Sequence, residues 1–506
     1  MNDIDNDTFN KDNQEKVTIS CILLKILILN LSIFISIKYF SNISDNNYKH
    51  TNSAFRAYLD AKNKSECEKY DPYFLFQSRF YEDPIYLCKN DDSEHLCYIN
   101  TNILNVVKNG LTCKMKNFIL NTSKWKSEDQ NYINDNFNKS NESLFLDNGF
   151  FNMKCKKQEK KEIFSPKYHS YLNAWNYSLH PRKQEQYDNI IEELSSNKTI
   201  LFVNRNKNTF NIFFSMCAVM NALLLIEHYN LNPDNIQVIF IESIEIQFDP
   251  LYDMYKNIIS RGTEPIHISQ LAKQIYHVTE AFYVPINWDS PLFTKYHLVD
   301  KCDISTKGYI YFNDLVNKYM KITFFNDPEK YDNETYYYPK AIKYPNSPIY
   351  TTFLTFQWRK VWPKGRKGQE RLLGNGIEII EKLYEVLPKT TLIRLVDTSQ
   401  LSINEQISLM KKTDYFIGIH GAGLALSAFM PNTSILNEIS SKFQSDNLLI
   451  ISKLSGHKTY SDYLSYKTEY INDNQYLYFN PDSISERVYA RMNETFYKTG
   501  FKHKFL

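Results

Sequence analysis

The residue types best suited to chemistry are gathered between Asp414 and Ser440, in the string DYFIGIHGAGLALSAFMPNTSILNEIS. His420 is a side chain that can take up or hold a proton near neutral pH. Gly421 and Gly423, on either side of Ala422 and ahead of Leu424, remove two Cβ atoms where the chain turns, so a bulky ligand can approach main-chain N–H groups. The positive end of a following helix would favour an anion such as a diphosphate. Glu438, near the end of the next apolar run, can accept hydrogen bonds from ribose hydroxyls, as acidic residues do in nucleotide-binding α/β folds. Two glycines between a strand and a helix are nevertheless common in α/β proteins. A histidine at a strand end can also simply brace a loop, so the pattern alone leaves both readings open.

The elements that must carry these residues are a strand from Tyr415 to Ile419, a helix from Leu424 to Phe429 and a strand from Ser434 to Ile439, with a turn at Pro431-Asn432. Such a unit belongs in a parallel, doubly wound sheet, where ligands sit outside the carboxyl ends of the strands. The same α/β texture starts near residue 198. Strands are expected at Thr199 to Val203, Gln237 to Glu242 and His277 to Pro285, and helices at Phe210 to Glu227, Pro250 to Ile259 and Asn313 to Met320. After an aromatic linker the pattern resumes with strand Tyr350 to Thr355, helix Gly376 to Leu387, strand Thr391 to Val396 and helix Ser402 to Lys411.

At 506 residues the chain can hold two or three domains. A formal charge of +2 argues against a nucleic-acid binder that relies on a broad basic surface. The segment Val17 to Ile37 is predominantly apolar, carries one charge, Lys25, and is long enough to cross a hydrocarbon core. A cleaved signal peptide is the rival reading, but no small-residue cleavage site follows, which favours an uncleaved signal anchor. Cys67, Cys88, Cys97, Cys113 and Cys155 crowd one stretch and suit disulfides in an oxidising lumen, whereas Cys217 lies in an apolar helical run and reads as a free, buried thiol. Sequons at Asn63, Asn121, Asn176 and Asn333, among others, agree with a lumenal body. The expected organisation is therefore a cytoplasmic tail (1–16), anchor (17–37), stem (38–66), cysteine-bearing region (67–197), and two Rossmann-like domains, 198–349 and 350–506.

The string His420-Gly421-Ala422-Gly423-Leu424, followed by a proline and a strand ending in Glu438, resembles the signature of glycosyltransferase family 61. The run RKVWPKGRKGQERLLGN resembles the family's strand-end arginines followed by Arg-x-x-x-Asn before a helix. On that resemblance Arg371, with Arg366 and Asn375, would contact a donor diphosphate. Where the family often continues Asn-Glu, this chain has Asn375-Gly376. In the first half, Asn211 and Phe213 occupy the place of an aromatic-rich helix lining the acceptor side, and Phe214 or Ser215 stands where relatives carry a histidine.

The resemblance implies a GT-B-like α/β architecture, two Rossmann-like domains facing a cleft after an N-terminal transmembrane anchor, with a UDP-sugar as donor. The stretch after the signature resembles the core β1,2-xylosyltransferase branch, which implies UDP-xylose transferred with inversion to the core mannose of an N-glycan. His420 is the candidate base or phosphate contact. No Asp-x-Asp triplet occurs beyond the apolar segment, so no metal and no cofactor is expected, and charge stabilisation would fall to the glycine loop and Arg371. The expected setting is the Golgi or endoplasmic reticulum membrane, as a single-pass type II protein. Two rivals stay open: an O-linked N-acetylglucosaminyltransferase of the same family, and a non-catalytic lumenal glycan-binding scaffold.

Overall fold

Two sheets, each with its own apolar core, organise the chain. In the computed structural model the described residues run over 198–205, 211–242, 249–284, 306–320, 352–361, 369–440 and 447–497, with shorter pieces between 71 and 194, at 290 and at 336–337. All of them lie in the compact unit Glu66–Leu506. The expected tail, anchor and stem, and Arg366, fall outside the described residues.

The first sheet contains β1 (Ile85–Lys89), β2 (Glu94–Ile99), β3 (Leu111–Asn121), β4 (Thr199–Val203), β5 (Ile236–Phe240), β6 (Ile266–His267) and β7 (Ile275–Val284), in the order β1-β2-β3-β7-β4-β5-β6. Strands β4 to β7 run parallel, and β7 then pairs antiparallel with β3, Tyr283 opposite Cys113. Strands β1 to β3, which come from the stretch 67–197 expected as a cysteine-bearing region, thus extend the sheet of the first α/β half. One core cluster joins Met115, Phe118 and Leu120 of β3 to Ile200 and Phe202 of β4. Cys97 and Cys113 face each other across β2 and β3 and form a disulfide.

Between β4 and β5 runs α1 (Ile212–Tyr229), started by the Asn211 side chain, which accepts the Phe213 N–H, and ended by Asn230 in the left-handed region. By length and composition α1 could cross a membrane, but it is a core helix with most residues buried. Its Cys217 is the free, buried thiol expected from the sequence.

The second sheet is built from β8 (Thr352–Gln357), β9 (Thr391–Val396), β10 (Tyr415–Ile419), β11 (Ile435–Ser440) and β12 (Lys458–Tyr463), parallel to one another in the order β9-β8-β10-β11-β12, with the short strand Tyr336–Tyr337 added antiparallel at the β9 edge. Every residue of β10 is buried, as expected of a strand covered on both faces. The connecting helices are α2 (Lys307–Tyr319) ahead of β8, α3 (Gly376–Val386) between β8 and β9, α4 (Ile403–Lys411) between β9 and β10, α5 (Asn447–Leu454) before β12, and α6 (Pro481–Met492). Ser402 and Glu405 form a capping box that fixes the start of α4. Segment Ala422–Phe429, expected as an α-helix from Leu424, is a 3₁₀ helix beginning two residues earlier. The sequence pattern did not announce the hairpin β13 (Tyr466–Ile471) and β14 (Asn474–Phe479), which pairs with Leu372–Leu373.

In each sheet the chain reverses its direction of growth once. From β4 it proceeds to β5 and β6 on one side, then returns to place β7 on the other. From β8 it proceeds to β9, then crosses by α4 to β10 on the opposite side. Such reversals open crevices at the carboxyl ends of the strands.

Two fully buried histidines tie stability to pH. Burial pushes His457, beside the start of β12, down to about 4, and His95 on β2 down to about 3. Both folded values lie below the ordinary 6.5. As pH falls below 6.5, the unfolded chain takes up protons that the folded chain refuses, and stability drops. For His457 the loss approaches about 3 kcal/mol by pH 4. Thermal melts between pH 7 and pH 4 should show a falling midpoint, and His457→Gln, which cannot charge, should show a shallower fall. An unchanged slope would mean that His457 is not the titrating group.

Candidate functional site

The crevice between β8 and β10 holds a cavity of about 260 Å³. Three strand ends feed it: Gln357 ends β8 and Trp358, Arg359 and Lys360 follow it; Asp397, Thr398 and Ser399 follow β9; Gly421, Ala422 and Gly423 follow β10. Ile212, the first residue of α1, and Pro250 close it from the half that carries the first sheet.

The glycines of the loop answer first to the neighbouring strand. Gly421 has an extended backbone, φ 174°, that any residue can adopt, so its missing Cβ is a matter of space. A Cβ there would overlap Arg359 Nη1, and one at Gly423 would overlap the Gln357 carboxamide. At Gly418 a Cβ would meet Gln357 Cβ and Leu424 Cδ2 at 3.0 Å. Arg359 Nη1 donates to the His420 carbonyl at 2.8 Å, and Gln357 Nε2 donates to Thr398 Oγ1 at 2.9 Å. The side chains beyond β8 therefore lock the loop after β10 to the turn after β9.

His420 directly precedes the lining residue Gly421 and is not itself among the lining residues. Its Nδ1 lies 2.5 Å from Glu438 Oε1 on β11, and 13% of its side chain is exposed. Glu438 is buried, does not line the cavity, and its Oε2 has no hydrogen-bond partner among the described residues. Leu424 is buried beneath the loop. Glu438, expected at the ribose, thus holds the histidine ring in the structure.

Arg371 and Asn375 are also placed elsewhere. Arg371 occupies a left-handed turn (φ 62°) leading into Leu372–Leu373, its N–H donating to Gln475 Oε1 at 3.4 Å. Asn375 binds Phe479 in both directions, donating to its carbonyl at 2.7 Å and accepting its N–H at 3.1 Å, and so ties the β14 end to the start of α3. Among the described residues, the cations that line the cavity are Arg359 and Lys360 from the same basic run, with Lys360 Nζ 3.8 Å from the Trp358 ring centroid. Family spacing pointed to the far end of that run; proximity to the β8 end selects its beginning.

On the opposite wall Asn211 caps α1, and Phe213 is buried against the tilted ring of Phe214. Neither lines the cavity, although Ile212 between them does. Behind Pro250 lies a buried ion cluster. Arg205 Nε donates to Glu242 Oε1 at 2.7 Å, Nη1 to Asp249 Oδ2 at 3.3 Å, and the guanidinium lies on the Phe240 ring at 3.5 Å. Burial would lower the Arg205 pKa, but the two carboxylates outweigh it and hold the group charged. Asp397, Thr398 and Ser399 were not anticipated. Their signal was their place directly after a parallel strand, where ligands are expected in folds of this topology.

Residues 307–436, from α2 into β11, match the family model described as Glycosyltransferase 61. The chain is a glycosyltransferase. The matched span contains all three strand ends that feed the cavity, and the mixed α/β fold with parallel sheets fits an enzyme of this kind. No curated protein matches the chain.

The interlock of loop and strand end can be tested directly. Gly423→Ala should lower stability by about 1–3 kcal/mol through overpacking against Gln357. Adding Gln357→Ala should recover part of that loss, giving a non-additive cycle in chemical denaturation. Strict additivity would show that Gln357 does not occupy the space at Gly423.

Proposed function

We propose that the chain is an inverting, GT-B-type transferase that takes its sugar from a UDP-sugar, with UDP-xylose as the donor and the core mannose of an N-glycan as the acceptor. The observation that carries this reading is the cavity at the β8/β10 reversal, where Gly421–Gly423, Arg359 and Lys360 face Ile212 and Pro250 of the other half. Loop N–H groups and two cations suit a diphosphate leaving group, and a wall from the other half suits an acceptor.

Inversion takes one displacement. The acceptor oxygen attacks the anomeric carbon, the bond from that carbon to the UDP oxygen breaks, and a base receives the acceptor proton. His420 is the candidate base. A Glu438 carboxylate that accepts the Nδ1 proton leaves Nε2 with its lone pair, the arrangement a general base requires. The transfer to N-glycans in the lumen of the Golgi or endoplasmic reticulum, from a type II anchored chain, rests on the apolar segment Val17 to Ile37 and the sequons, and the Cys97–Cys113 disulfide agrees with an oxidising compartment.

The test is a panel of UDP-sugars offered to the detergent-solubilised full chain with N-glycan and peptide acceptors. Transfer from UDP-xylose, unaffected by a chelator, is expected. Preference for UDP-N-acetylglucosamine onto Ser or Thr would move the assignment to the other branch, and no turnover from well-folded protein would favour a scaffold. A strict requirement for Mn²⁺ would contradict charge stabilisation by the loop and the cations alone.

A further inference from the structure

Asp397 is the one acidic side chain among the described residues that line the cavity. It follows β9 directly, and only 5% of its surface is exposed. One carboxylate oxygen, Oδ1, is occupied by the fold itself. It accepts the Ser399 N–H at 3.1 Å and the Ser399 hydroxyl at 2.6 Å, capping the short turn Thr398–Gln400. An asparagine would cap that turn equally well. The second oxygen, Oδ2, is in no hydrogen bond or ion pair with the described residues, although Arg359 and Lys360 line the same cavity. An ionised carboxylate oxygen can only accept hydrogen bonds, so its natural partners are ligand hydroxyls.

The topology says which hydroxyls. In doubly wound folds the ligand lies across the reversal point, and an acidic residue beyond the strand that follows the first one holds the ribose. Here β8 is the first strand, β9 the next, and the glycine loop lies past β10 on the other side of β8. A nucleoside diphosphate with its phosphates at Gly421–Gly423 and Arg359 would reach back over Gln357 toward Asp397. Resting on the donor site described above, we propose that Asp397 binds the ribose hydroxyls of the nucleoside diphosphate, the role that Glu438 gives up by pairing with His420.

The experiment measures binding of UDP, 2′-deoxy-UDP and 3′-deoxy-UDP to the full chain by calorimetry, for wild type, Asp397→Asn and Asp397→Ser. Both substitutions keep a side chain able to cap the turn. Wild type should prefer UDP over at least one deoxy analogue by about tenfold or more, and both variants should bind UDP about 10- to 100-fold more weakly and lose the preference. UDP affinity and preference unchanged in a variant would overturn the role of Asp397 while leaving the donor site standing. Equal affinity of wild type for all three ligands would do the same. Failure of wild type to bind UDP at all would overturn the donor site itself.

Discussion

Everything at the candidate site depends on a steric interlock between the end of β8 and the loop after β10. Two side chains, Gln357 and Arg359, occupy the space that Cβ atoms at Gly423 and Gly421 would fill. The consequence runs in both directions. The glycines let a strand-end arginine reach the His420 carbonyl, and the arginine in turn brings a cation to the same crevice as the loop N–H groups. The glycines therefore serve the neighbouring strand first, and the meeting of a cation with the loop N–H groups in one crevice is a product of packing.

The second constraint is the 3₁₀ helix Ala422–Phe429. Its apolar side chains from Leu424 to Phe429 are buried, and it packs against α1, α2, α4 and α5. Phe312 of α2 meets Phe429 at 5.6 Å, and the Asn313 side chain donates to the Ala428 carbonyl at 2.9 Å. Because α1 also supplies Ile212 to the cavity, one buried turn links the glycine loop to the wall opposite it. A shift of this helix would move both walls of the cavity together. On the far side, the Arg205–Glu242–Asp249 cluster fixes the chain that leads into Pro250.

Much of this fold was legible because its parallel strands are short, continuous apolar runs bounded by turn residues. Thr199–Val203, Thr391–Val396 and Tyr415–Ile419 were located to the residue. Strand β3 was not, because Lys114 and Lys116 interrupt its pattern; in the structure Lys114 pairs with Glu280 of the adjacent β7 at 3.3 Å. Strand β13 is exposed along its whole length and so carries no apolar alternation to read. The site was half legible. The loop 420–423 stood out by composition, but whether Glu438 faces a ligand or a histidine depends on register, and only pairing of β10 with β11 sets Gly418 beside Glu438. Likewise, nothing in the basic run itself separates Arg359 from Arg371; their distances from a strand end do.

The most direct measurement is a crystal structure of the chain with UDP bound. The diphosphate is expected at the N–H groups of Gly421–Gly423 within reach of Arg359, and the nucleoside over the ends of β8 and β9. Density for UDP in the other crevice, at the ends of β4 and β7, with the β8/β10 cavity left to solvent, would contradict it.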